Sequence, residues 1–90
     1  MKLILCKNCQ DIVRLMPTKR VCSCGKSGGK YTDNLHAIYF GDMAVPIGFR
    51  NDSIVEAVIN QPEVGMGRDF TAFVISKNCS TFKLIPEGAL

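Results

Sequence analysis

Five cysteines constrain this chain more than any other feature. They stand at positions 6, 9, 22, 24 and 79, with the first four spaced C-x₂-C-x₁₂-C-x-C. An odd count does not close into a disulfide framework. In Cys6-Lys7-Asn8-Cys9 two intervening residues let the chain turn so that both sulfurs point into one pocket. A second close pair twelve residues later completes a tetrahedral set of thiolates suited to a metal with M–S bonds of about 2.3 Å. Gly25, directly after Cys24, fits this, because a residue without Cβ lets the backbone fold over a metal and aim its N–H at a sulfur.

Zn²⁺ is the expected occupant of Cys6, Cys9, Cys22 and Cys24, since it is the default for four thiolates in a small domain; iron is the other candidate. Cys22-Ser23-Cys24 has one intervening residue where two are usual. The second knuckle is therefore irregular, or His36 or Cys79 replaces one of its sulfurs. A redox Cys6-x-x-Cys9 pair at a strand-to-helix turn is the competing chemistry, with Lys2–Leu5 as strand and Gln10–Met16 as helix. It leaves the second cysteine pair without a role.

The stretch Leu5-Cys6-Lys7-Asn8-Cys9 with Val21-Cys22-Ser23-Cys24-Gly25-Lys26-Ser27-Gly28-Gly29-Lys30-Tyr31 resembles the two knuckles of a zinc ribbon, in which two short hairpins each donate a cysteine pair. The likeness covers residues 3–31. The whole chain is similar to small zinc-ribbon proteins of bacteria and their phages. The resemblance implies a fold and a metal, and transfers no activity.

Ninety residues make one domain, 1–90, read as a ribbon subdomain over 1–31 and an α+β body over 32–90. Ile12–Leu15, a Met16–Lys19 turn and Arg20–Cys22 read as the ribbon's primary hairpin. Leu35–Phe40 is apolar on both alternating faces, which places His36 in a buried strand as a hydrogen-bonded core histidine. Val45–Phe49 is a strand that Pro46 assigns to a sheet edge. Ser53 and Glu56 have capping-box spacing, predicting a helix over about 53–61 whose Ile54, Val55, Val58 and Ile59 pack on a sheet. Phe70–Ser76 and Thr81–Ile85 close the fold as strands. The expected class is α+β: a zinc ribbon packed on a small antiparallel sheet with one short helix. If the body has its own core, losing Cys6 or Cys9 disorders only the first thirty residues.

Charge is divided along the chain. Residues 1–30 hold seven basic side chains and one acid, whereas residues 31–90 hold four basic and seven acidic, so +6 precedes −3. Lys2, Lys7, Arg14, Lys19, Arg20, Lys26 and Lys30 offer a basic face to phosphates, or compensate the −2 of a zinc tetrathiolate. Tyr31 is the only ring near that face, and single-strand binders need stacking aromatics, so protein contacts are favoured over nucleic acid.

Gly25-Lys26-Ser27 does not make a phosphate loop, because the leading glycine of that frame is Arg20. In Gly65-Met66-Gly67-Arg68-Asp69 the arginine either clamps an anion or pairs with Asp69 or Glu63. One histidine and no paired carboxylates leave an active site without parts, and four thiolates close a metal shell against catalysis. The apolar run from Leu3 to Cys6 is too short for a signal segment or a membrane span, which points to a cytoplasmic protein. The expected function is non-enzymatic: a zinc-binding regulator or inhibitor that engages a protein partner or itself. A nucleic-acid-binding ribbon and a Cys6/Cys9 thiol–disulfide oxidoreductase are the alternatives.

Overall fold

The computed structural model describes Met1–Leu90. Eight strands and one helix follow in the order β1 (Lys2–Cys6), β2 (Ile12–Arg14), β3 (Arg20–Val21), β4 (Gly28–Tyr31), β5 (Ala37–Phe40), β6 (Ala44–Phe49), α1 (Asn51–Ile59), β7 (Ala72–Val74) and β8 (Phe82–Leu84). They form two four-stranded sheets, ordered β2-β1-β6-β7 and β3-β4-β5-β8. With one short helix beside them this is an α+β arrangement. All pairings are antiparallel except β5 with β8, where Ala37 meets Phe82 and Tyr39 meets Leu84 in parallel register.

β1 lies inside the first sheet because it is apolar on both sides of its pleat, with Leu3, Ile4 and Cys6 all buried. Its neighbours are β2, with Leu3 opposite Arg14, and β6, with Ile4 opposite Pro46. In the second sheet Gly28 faces Phe40 across the β4–β5 ladder. A Cβ on Gly28 would stand 2.5 Å from the Arg20 carbonyl oxygen and 2.7 Å from the Phe40 ring, so glycine is what lets the ring approach β4 this closely. Between the sheets Ile4, Leu15, Ala37, Tyr39 and Phe82 make the main core. Tyr39 and Phe82 meet edge to face at 5.0 Å between ring centres.

The expected hairpin between Ile12–Leu15 and Arg20–Cys22 does not form. β2 pairs with β1 and β3 with β4, so the two segments belong to different sheets. Strands from the first thirty residues thus share ladders with later ones, β1 with β6 and β4 with β5.

β6 is not the expected edge strand either, for it sits between β1 and β7. Pro46 is tolerated there for a local reason. A residue's N–H and C=O point to the same side of its strand, and the Pro46 carbonyl accepts from the Ile75 N–H at 2.9 Å. The missing Pro46 donor therefore faces the place just past Val74 where β7 ends, and the β1 side loses nothing.

The helix starts at Asn51 rather than Ser53, and the capping box is not made. The Ser53 hydroxyl donates back to the Arg50 carbonyl at 2.7 Å and accepts from the Thr71 N–H at 2.9 Å, tying the first turn to the strand entering β7. At the other end the Asn60 side chain donates to the Glu56 carbonyl and Pro62 follows, which stops the helix at Ile59. No residue of α1 is fully buried: Ile54 is half-buried, but Val55, Val58 and Ile59 are exposed, so most of the expected stripe does not pack on a sheet.

Candidate metal centre

The Sγ atoms of Cys6, Cys9, Cys22 and Cys24 all lie within 4.8 Å of one another. Cys6 and Cys24 are 3.7 Å apart, Cys22 and Cys24 3.5 Å. A tetrahedron with M–S bonds of about 2.3 Å has edges of about 3.8 Å, so the sulfurs stand where a thiophilic metal would hold them. Donor type and spacing fit zinc as one of the metals that select four thiolates.

Each sheet supplies part of the set. Cys6 ends β1 in the first sheet, and its N–H donates to the Asp11 carbonyl while its carbonyl accepts from Gln10. Gln10 has φ 62°, the left-handed turn that brings Cys9 back beneath β1. Cys22 follows β3 in the second sheet, with its N–H on the Ser27 carbonyl at 2.9 Å. Gly25 adopts φ 77° and donates to the Cys22 carbonyl at 3.0 Å, which closes the one-residue knuckle that the spacing made irregular. Cys6 and Cys22 are buried with Val13 in a second small core, whereas Cys24 is exposed.

The polar neighbours of the sulfurs carry no signal that spacing alone reveals. The Asp11 carboxylate accepts from both the N–H and the hydroxyl of Ser23, each at 2.9 Å, and so latches the first knuckle to the second. The Ser27 N–H donates to Cys22 Sγ at 3.4 Å. The Ser27 hydroxyl is 1% exposed and makes no well-aligned hydrogen bond, an orphan that a thiolate would satisfy. It lies close enough to Cys6 to be the main cause that draws that thiol down to about 6, followed by the Cys9 N–H and opposed by burial. The Asn8 side chain, then the Lys26 N–H, lower the Cys24 thiol. Burial pushes the Cys9 thiol up. Donors of this kind favour the charged sulfur a metal requires.

His36 and Cys79 both lie outside the cluster. His36 is not in the core: it is half exposed, and its Nδ1 stands 3.0 Å from an Asp33 carboxylate oxygen. Asp33 also accepts from the Leu35 and His36 N–H groups, and these bonds, with the imidazole third, hold its carboxyl at about 2. Cys79 Sγ sits 3.3 Å from the Thr81 hydroxyl, which is the first cause of its lowered thiol pKa. Arg68 pairs with neither Asp69 nor Glu63 but with Glu56, at 2.7 Å on the surface. Of the basic residues, Arg14, Lys19, Arg20 and Lys26 are exposed and Lys30 is half-buried. The Lys19 ammonium lies 5.3 Å from the centre of the Phe40 ring. No helix is long and apolar enough to cross a membrane. Comparison with protein families, curated proteins and solved structures gave no match to this chain.

Proposed function

We propose that this chain is a non-enzymatic zinc protein of ribbon type, in which the metal fixes the relation of two small sheets and the surface so held engages a protein partner as a regulator or inhibitor. The observation that carries the reading is the close set of four sulfurs. Four protein thiolates fill the coordination shell of zinc and leave no position for a substrate, so the metal supplies a cross-link and not a Lewis acid. Cys6, Cys9, Cys22 and Cys24 are its ligands, with Ser27 and Asp11 holding the knuckles around them. Grouping of all four sulfurs, in place of an isolated Cys6–Cys9 pair, favours this over thiol–disulfide exchange.

Nucleic acid is the weaker partner. Allowing −2 for a zinc tetrathiolate leaves residues 1–30 at about +4, on a body of −3 that repels the same phosphates. Elemental analysis of the native protein, with a fluorescence titration of short DNA and RNA at low and physiological salt, tests both halves of the reading. One zinc per chain and no submicromolar binding are expected. A chain free of zinc and iron, or carrying a reversible Cys6–Cys9 disulfide, refutes the metal centre. Salt-sensitive submicromolar binding lost on reversing Lys19 and Arg20 makes the protein a nucleic-acid binder.

A further inference from the structure

The segment after β6 leaves the most apolar surface uncovered. Val58, Ile59, Val64, Met66, Phe73 and Val74 are between 49% and 95% exposed. The radius of gyration, 14.3 Å, exceeds the roughly 12 Å of a compact chain of this length, in keeping with a part that stands away from the core.

Within this surface β7 also offers unpaired backbone. It ends its sheet, with β6 as its one neighbour. The Thr71 carbonyl accepts from the Arg50 N–H just past β6 and its N–H donates to Ser53, while the Ile75 N–H donates to Pro46, so residues 73 and 75 turn their polar groups toward β6 and Thr71 turns its own to the segment that follows it. By alternation Ala72 and Val74 point theirs outward. Edge strands in soluble proteins are defended by charge, proline or a covering element. Phe70-Thr71-Ala72-Phe73-Val74-Ile75-Ser76 contains neither a charge nor a proline, and β7 is exposed throughout.

Its flanks indicate what covers it. Asp69 and Lys77 each stand four residues from Phe73, both exposed, and neither enters a salt bridge within the chain. Two identical strands paired antiparallel about a two-fold axis at Phe73 bring Ala72 opposite Val74 of the second copy. Both have outward-facing groups, so the two symmetry-related pairs make four N–H···O bonds. The same register brings the chain leaving one strand toward Lys77, where it bends, near the chain entering the other at Asp69, twice, so opposite charges approach each other beyond both ends of the ladder. Moving the axis to Ala72 or Val74 keeps the hydrogen-bond parity but offsets the two charged flanks by two residues. Opposite charges placed symmetrically about the centre of one strand complement that strand itself, a pattern an unrelated partner does not require.

We propose that two copies of this chain pair antiparallel through β7 about a two-fold axis at Phe73, joining two four-stranded sheets into one of eight strands. The proposal rests on the reading of the protein as one that engages a protein partner, and names that partner as a second copy. At the axis the two Phe73 residues form a non-hydrogen-bonded pair, the closer of the two antiparallel backbone spacings, with each ring turned back over its own sheet. Each ring is already placed by Gly48 beneath it, where a Cβ would come within 2.6 Å of the ring.

Sedimentation equilibrium of the full, metal-loaded chain across the micromolar range tests the pairing, with a mass twice that of the chain expected. Val74→Pro removes an outward N–H that β6 does not use, and by symmetry two of the four interface bonds; dissociation should strengthen at least tenfold with metal content unchanged. Asp69→Lys and Lys77→Asp probe the register without touching the backbone. Each alone should weaken the dimer roughly three- to tenfold, since two exposed ion pairs are lost together, and the double exchange should restore it. A dimer indifferent to Val74→Pro, or single exchanges that the double does not repair, overturns the proposal. A monomer at every concentration with one zinc per chain overturns the dimer and leaves the partner reading standing. Salt-sensitive DNA or RNA binding by a dimer that Val74→Pro dissociates overturns the partner reading and leaves the pairing intact.

Discussion

Removing the metal should unfold the chain as a whole, not the first thirty residues alone. Cys6 terminates β1, the strand held between β2 and β6, while Cys22 and Cys24 lie between β3 and β4 of the other sheet. A metal on these sulfurs therefore ties the two sheets to each other. Only 15 of 90 residues are buried, so little apolar packing stands in reserve. Structural zinc contributes about 10–16 kcal/mol to folding of small domains at neutral pH. The whole net stability of a domain is about 5–15 kcal/mol. Subtracting even the lower zinc figure leaves about −5 to +5 kcal/mol, and so small a buried core places this chain toward the lower end. The helix does not rescue a residual body, because none of its residues is buried and an isolated nine-residue helix is marginal in water. The assay is amide hydrogen exchange on the reduced protein before and after a strong chelator. Amides of Ala37–Phe40 and Ala44–Phe49 should lose protection together with those of Lys2–Cys6. Continued protection of the Ala37–Phe49 amides in metal-free, reduced protein refutes the argument and shows that the second half has a core of its own.

Gly28→Ala should cost about 2 kcal/mol in denaturant unfolding of the loaded protein, because the new Cβ meets a backbone oxygen at 2.5 Å and the Phe40 ring at 2.7 Å; unchanged stability contradicts the β4–β5 packing. Cys79→Ser should leave metal stoichiometry intact whereas Cys22→Ser abolishes it, and alkylation of the loaded chain followed by mass spectrometry should mark Cys79 alone. The opposite pattern makes Cys79 a ligand. Asp11→Ala removes the acceptor of two hydrogen bonds from Ser23 and should weaken zinc about tenfold in chelator competition, an effect absent if the latch between the knuckles is idle.

What the sequence made legible is local. Four cysteines within nineteen residues imply a shared pocket whatever the rest of the chain does, and the structure gathers their sulfurs. The apolar spacing and Pro62 locate the helix to within two residues at its C-terminal end. The capping-box spacing of Ser53 and Glu56 sets the start two residues late, because the Ser53 hydroxyl bonds to Arg50 and Thr71 instead. Strand partners were not legible, since Ile12–Leu15 and Arg20–Cys22 satisfy alternation equally well paired with each other or with β1 and β4. Pro46 misled because the rule against proline in inner strands concerns one side of one residue, and that side faces the end of β7. The stripe of Ile54, Val55, Val58 and Ile59 has the same periodicity whether its cover is the chain's own sheet or another molecule. Asp11 and Ser23 are twelve residues apart, and a bond between them has no sequence signature.

The parallel pairing of β5 with β8 makes completion of the core depend on the order of synthesis. All four clustered cysteines have been made by residue 24, but Phe82, wholly buried against Ile4, Leu15 and Tyr39, comes fifty-eight residues later. At translation rates of about 5–20 residues per second, that interval is about 3–12 s. Through it the nascent chain has its four clustered thiols and no means of filling the core between its sheets. Metal capture during this window would hold the two knuckles together while the second sheet waits for its last strand. Without a metal to capture, the nascent chain would instead stay open with four unligated thiols until its last strand is made.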